Sequence, residues 1–168
     1  VIDTIKQKNI PVILFNREPV DIEAIKSYNK AYFLGTNARE AGIIQGKILI
    51  NAWNKNKVII DRNKDNIMQY IMLMGEVDNI EAIERTKYSV LTIDNARIKT
   101  QELGLKVGNW NKEQGKNETR ALLSQLGNKI EVIISNNDSM AIGAIEALQE
   151  QGYNNGDKTK IIPVVGVD

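Results

Sequence analysis

The sequence predicts an α/β protein built on a doubly wound, mostly parallel sheet with helices on both faces. Three observations predict it. Short aliphatic runs bounded by turn residues recur along the chain, as strands buried on both faces do. Between most of them stand helical patterns, the connection that consecutive parallel strands require. Polar residues follow the runs directly, at the strand ends where open parallel sheets hold their ligands.

The chain opens on Ile2-Asp3-Thr4-Ile5-Lys6-Gln7-Lys8-Asn9, the tail of an amphipathic helix feeding a strand at 11–15. Further strands are predicted at 31–35, 68–75, 100–107, 131–135 and 161–167. The helix after Gly35 opens at Asn37 with Glu40 three residues on, the spacing of a capping box, and its apolar stripe is Ala41, Ile44, Ile48 and Ala52. A second helix covers 79–95, and a third covers 112–126 with Ala121, Leu122 and Leu126 inward. The fourth runs from Asp138 through Met140, Ala141, Ala144, Ile145 and Leu148 to Gly152. The first helix starts partway and the last strand stops where a connection is due, so the expectation is an excised part of a longer protein. No repeat or low-complexity segment interrupts the series.

A chain of 168 residues can bury a real core, as one domain or two small lobes. Its 22 basic and 21 acidic residues nearly cancel, so no strong field attracts nucleic acid or an anionic membrane. Having no cysteine, it has no disulfide, thiolate metal site or cysteine nucleophile. Having no histidine, it lacks the usual general base and the commonest metal ligand. No apolar run approaches the roughly 18–20 residues that span a bilayer, and no segment resembles a signal peptide.

The polar residues fall on one edge of the predicted sheet. Asn16, Arg17 and Glu18 follow one strand, Asn79 and Glu81 another, Trp110 a third, Asn136-Asn137-Asp138 a fourth, and Asp168 ends the last. Asn gives and takes hydrogen bonds, ionised Asp and Glu accept, and Arg presents a planar fork of donors. That mixture suits a small polyhydroxylated ligand, with an indole to cover its C–H face. No glycine-rich phosphate loop stands between a strand and a helix. Each residue also has a plainer use. Asn137 and Asp138 can simply cap a helix, Glu81 and Arg85 can form an exposed i,i+4 ion pair contributing ~0.2–0.5 kcal/mol, and Trp110 can be a lid on the core edge.

A second constellation is Asp61-Arg62-Asn63-Lys64-Asp65-Asn66-Ile67-Met68-Gln69, with oxygen-bearing side chains at positions one, three, five and nine of a calcium-type loop. Position seven offers the Ile67 carbonyl. Position six needs a left-handed residue, which Asn66 can supply. Position twelve is Met72 where a bidentate Glu is usual, so the loop needs a remote carboxylate; the plainer alternative is a solvated turn.

Taken together, Phe15-Asn16-Arg17-Glu18-Pro19, Ala41-Gly42-Ile43-Ile44-Gln45-Gly46, the 61–69 loop, Gly75-Glu76, Ile130-Glu131-Val132, Asn136-Asn137-Asp138 and Gly166-Val167-Asp168 resemble the galactose/glucose-binding proteins. These are extracytoplasmic receptors, periplasmic or lipid-anchored, that deliver hexoses to the membrane subunits of an ABC transporter and, in some bacteria, to a chemoreceptor. The resemblance implies a periplasmic-binding-protein-like type I fold of two lobes with the sugar between them. Residues 1–35 would end the first lobe, 36–37 would be the hinge crossing, and 38–168 would form an incomplete second lobe. Sugar-binding residues carried over are Asn16, Asn79, Glu81, Arg85, Trp110, Asn137 and Asp168. The calcium ligands carried over are Asp61, Asn63, Asp65, Ile67, Gln69 and Glu131, the last being the remote carboxylate.

Two positions depart from the family. Asn79 stands where it has His and Glu81 where it has Asp, so galactose and glucose cannot be ranked. The family's other sugar contacts lie outside the sequence read here, and the chain alone is expected to bind hexose weakly or not at all. No enzyme is expected. A sugar-responsive regulator of the LacI type would share the fold without the calcium loop, and a glycosidase acting through Glu76 and Glu81 would lack the accompanying machinery.

Overall fold

The computed structural model describes all residues except Val1, Glu18 and Val20, so the expectation for Glu18 lies outside the described residues. The chain forms two compact units, Val1–Asn37 and Ala38–Asp168.

In the first unit, helix α1 (Ile2–Gln7) precedes β1 (Val12–Phe15), α2 (Ile22–Lys26) and β2 (Ala31–Leu34). The two strands pair in parallel from Val12–Ala31 to Phe15–Leu34. Helix α2 was not expected, because five residues are too few to show a helical period. It is fixed by a local cap, Asp21 Oδ1 accepting from the Ala24 N–H at 3.0 Å. Ile13, Phe15, Tyr32 and Leu34 are exposed on one face of the pair, which corrects the expectation of strands buried on both faces in this unit.

The second unit has the expected architecture. Its elements are α3 (Ala38–Ile60), β3 (Ile67–Met74), α4 (Ile80–Asn95), β4 (Lys99–Val107), α5 (Lys112–Leu126), β5 (Val132–Ser135), α6 (Asp138–Glu150) and β6 (Val164–Val165), with a 3₁₀ turn at Gly127–Lys129. The strands form one sheet in the order β4-β3-β5-β6, every pairing parallel. Alternation along the central strands builds two cores. Ile71, Leu73 and Ile133 face α5 and α6, packing on Leu122, Leu123, Met140, Ala144 and Leu148. Met68, Tyr70, Met72, Val132 and Ile134 face the other way, onto Leu49, Trp53 and Ile60 of α3 and Ile93 of α4. A fully buried Leu or Ile here contributes about 1.5–3 kcal/mol by leaving water.

Three details differ from the sequence reading. Ile44 and Ile48 are 50% and 51% exposed, and α3 instead buries Gly42, Gln45, Gly46, Leu49 and Trp53. Glycine decides this: Gly42 sits against the backbone of Arg85, and Gly46 against Ser89 and Thr92, so the two helices meet at a face without large side chains. Ala121 is exposed, because α5 turns Gly115 and Thr119 inward, Gly115 lying against Met140 of α6. The last strand is two residues long, since Pro163 precedes it and cannot donate to a ladder.

Candidate functional site

The loops after β3, β4 and β5 and the helix that follows β3 bring five of the proposed sugar-binding residues together at the carboxyl edge of the sheet. Asn79 caps α4, its Oδ1 accepting from the N–H groups of Glu81 and Ala82 at 2.9 and 3.1 Å. The cap places Glu81 and Arg85 on successive turns of that helix, with Arg85 Nη2 3.9 Å from Glu81 Oε2. This pair is not the exposed one that spacing alone suggests, because its side chains are only 8% and 12% exposed. Desolvation lowers the Arg85 pKa, and the Glu81 carboxylate opposes the shift. The guanidinium also lies 5.8 Å from the centre of the Trp110 ring, within cation–π reach.

Trp110 is held in an unusual conformation. It and Asn109 have φ of 62° and 48°, left-handed values that are uncommon away from glycine and cost of order 1–3 kcal/mol. The surroundings fix them. Gly108 N–H donates to the Met74 carbonyl at 2.8 Å and Asn109 N–H to the Gly75 carbonyl at 3.1 Å. The indole covers Gly75 so closely that any side chain there would overlap it. Asn137 completes the group: its Oδ1 accepts from the Met140 N–H at 3.0 Å as the cap of α6, and its Nδ2 donates to the Trp110 carbonyl at 3.0 Å. Capping does not exhaust Asn137, since each amide atom keeps further hydrogen-bonding capacity. Asp168 is exposed at the same edge, next to Val167, whose carbonyl accepts from the Asp138 N–H at 2.8 Å. Asn16 is exposed in the first unit, in the left-handed region with φ of 72°.

Asn136 was read only as one member of a polar trio. It is 0% exposed and engaged at every polar group. Its N–H donates to the Leu73 carbonyl at 2.9 Å, and its carbonyl accepts from Arg85 Nη1 at 2.9 Å. Its side-chain Oδ1 accepts from the Gly75 N–H at 3.0 Å, and Nδ2 donates to Thr86 Oγ1 at 3.0 Å. A polar pair, Ser135-Asn136, directly after the apolar run Val132-Ile133-Ile134 was the available signal; nothing local marks Thr86.

The 61–69 loop lies at the opposite, amino edge, and β3 with its eight residues separates the two by about 26 Å. Asn66 takes the left-handed conformation expected at position six, with φ of 64°. Glu131 is 1% exposed and bridges the loop ends, Oε1 accepting from the Arg62 N–H at 2.8 Å and Oε2 from the Gln69 N–H at 3.2 Å. Burial raises its pKa foremost, the two backbone hydrogen bonds oppose that, and Asp61 adds to it. Asp65 accepts from the Ile67 N–H at 2.8 Å and from Gln69 Nε2 at 2.7 Å. Arg62, unremarked in the sequence, donates to the Ile130 carbonyl and lies over Tyr153. Among the described residues no three Asp or Glu side chains gather tightly enough to hold a metal on carboxylates alone. Two buried oxygens, Asp61 Oδ1 and Gln69 Oε1, nevertheless accept no hydrogen bond. Acceptors without donors at positions one and nine fit a hard cation bound by mixed oxygen ligands.

The protein has known relatives. The periplasmic binding protein domain family matches residues 1–168. A D-galactose/methyl-galactoside binding periplasmic protein of Haemophilus influenzae is 40% identical over 169 residues, covering 100% of this chain and 48% of that protein. A putative rhizopine-binding protein of Rhizobium meliloti is 32% identical over 145 residues, covering 85% and 42%. The crystal structure of an ABC transporter solute binding protein from Bacillus halodurans, with bound myo-inositol, superimposes with a TM-score of 0.76 at 22% identity, covering 99% of this chain and 50% of that one. The chain thus spans about half the length of the curated relatives it matches. These relatives are binding proteins rather than enzymes, and no helix among the described residues is long and apolar enough to cross a membrane. Sequence and fold agree that the chain belongs to the periplasmic binding protein domain family, on the periplasmic-binding-protein-like type I fold.

Proposed function

We propose that this chain supplies most of one lobe of the sugar receptor of an ABC importer, working outside the cytoplasm. Glu81, Arg85, Trp110 and Asn137, with Asn79 and Asp168 beside them, form one wall of a hexose cleft, and Asn16 is a further sugar contact carried by the first unit. The observation that carries the reading is the Glu81–Arg85–Trp110–Asn137 cluster. A largely buried ion pair at 3.9 Å, an indole 5.8 Å from its guanidinium and an amide 3.0 Å from the Trp110 carbonyl stand in series at one sheet edge. The indole would cover the apolar C–H face of a pyranose, while the guanidinium and carboxylate would read neighbouring hydroxyls. Galactose and glucose are the ligands proposed, and the importer's membrane subunits the partner; a chemoreceptor is a second partner of the same kind.

Calcium is proposed in the amino-edge loop, held by Asp61, Asn63, Asp65, the Ile67 carbonyl, Gln69 and Glu131. Bound there, it would offset the charges of Asp61, Asp65 and Glu131 and cross-link the loop to the residue before β5. It acts on stability, since the strand length keeps it far from the sugar.

The test is calorimetric titration of the full-length protein carrying this chain with galactose, glucose, xylitol and myo-inositol. Micromolar or tighter binding of a hexose, abolished by Arg85→Ala, supports the proposal. No heat with any of the four overturns it.

A further inference from the structure

We propose that Asn136 is a positioning residue of this edge: it touches no ligand, yet holds Arg85 and Trp110 in the arrangement that would grip one. The inference rests on the sugar-receptor reading for its use, but on geometry for its substance. Arg85 is buried, and its Nη1 is anchored on the Asn136 carbonyl at 2.9 Å. The side-chain amide of the same residue clamps the Gly75 N–H at the exit of β3 and Thr86 on α4, one residue beyond Arg85. Gly75 in turn is the surface on which the Trp110 indole lies. One buried amide therefore joins the exits of β3 and β5 and the helix that carries Glu81 and Arg85. An apolar replacement leaves the Gly75 N–H and the Thr86 hydroxyl without their partner in a site closed to water, and the backbone must shift to satisfy them.

The experiment compares the protein with Asn136→Ala, Thr86→Val and Ile133→Val by NMR and by hexose titration. Ile133 is a fully buried core residue on β5, the strand that leads to Asn136, so its variant controls for lost stability alone. Without any sugar, Asn136→Ala is expected to shift the Trp110 indole resonance and speed solvent exchange of the Arg85 guanidinium. The Trp53 indole, in the core beneath α3, should stay in place. Galactose or glucose affinity should fall by about 30-fold or more, against less than about twofold for Ile133→Val. Thr86→Val, which keeps the Gly75 contact, should move the same signals less and serves as the primary variant if Asn136→Ala does not fold. Trp110 and Arg85 signals that superimpose on those of the unaltered protein overturn the proposal, as does an affinity within about threefold of it. Should the unaltered protein bind no hexose, the sugar reading fails by itself, and the ligand-free spectra still decide whether Asn136 sets this geometry.

Discussion

The Nδ2 of Asn137 donates to the main-chain carbonyl of Trp110 at 3.0 Å, so the residue capping α6 also pins the indole loop after β4. A left-handed tryptophan persists only where its surroundings over-determine it, and here a cap, two backbone hydrogen bonds and a glycine beneath the ring do so.

Gly75→Ala is therefore expected to expel the indole rather than be absorbed. The added methyl would occupy the space of the Trp110 ring, and overpacking of this kind costs about 1–3 kcal/mol. Chemical denaturation should show that loss together with greater quenching of Trp110 by acrylamide. An unchanged midpoint would mean that the ring has room to move.

Helix packing makes a paired prediction. Gly143→Ala puts a methyl onto the backbone of Lys112 and Lys116 and should destabilise the α5–α6 pair by about 1–3 kcal/mol. Ile44→Gln, on the exposed side of α3, should stay within about 0.5 kcal/mol. The reverse ranking in thermal unfolding would restore the stripe that periodicity suggests.

If the amino-edge loop binds calcium, the metal stabilises the folded state by mass action. At one hundred times its dissociation constant the gain is about 2.7 kcal/mol, a rise of about 5–10 °C in Tm for a chain of this size. Differential scanning calorimetry in EDTA and then in calcium checks it, and Asp61→Asn or Glu131→Gln should remove the response. Equal Tm values for the unaltered protein in both buffers would end the metal proposal.

The ladder between α5 and α6 sets a pH window. Lys112, Lys116 and Arg120 pair with Glu146 and Glu150 at 2.5–3.2 Å. Hydrogen bonds from Lys112 and Lys116 lower the Glu146 pKa, and those from Lys116 and Arg120 lower that of Glu150. Hydrogen bonds from Glu150 and Glu146 raise the pKa of Lys116. Depressed carboxylates contribute stability above their ordinary value of 4.5, which is lost as pH falls through the lower folded values. The raised lysine contributes below its ordinary 10.5, and that part is lost as pH rises through the higher folded value. Glu150→Gln should flatten the acid limb of a stability–pH curve and leave the neutral plateau nearly level, because exposed pairs are strongly screened. An acid limb as steep as before would assign it to other carboxylates.

Much was legible from local pattern. The strands over 68–75 and 131–135 and the helix over 79–95 announce themselves by apolar runs and helical pattern, and the structure places all three within a residue or two. The 61–69 loop was legible as well, down to the left-handed Asn66, because its spacing is local. Other features were not. Ile44 and Ile48 form the better apolar stripe on paper, yet Gly42 and Gly46 face the neighbouring helix because closeness to a partner, not hydrophobicity alone, selects the buried face.

By itself, then, the sequence determined the order of the second unit's main elements, the parallel α/β plan, the Asn137 cap and the absence of cysteine and histidine chemistry. All of these follow from short-range sterics, hydrogen bonding and periodicity. Only the tertiary structure decided that the Glu81 and Arg85 side chains are 12% and 8% exposed, and that Asn136 reaches Thr86 across 50 positions. Those contacts exist because the parallel sheet stacks strand ends from distant parts of the chain along one edge, and no local pattern records which side chains will meet there.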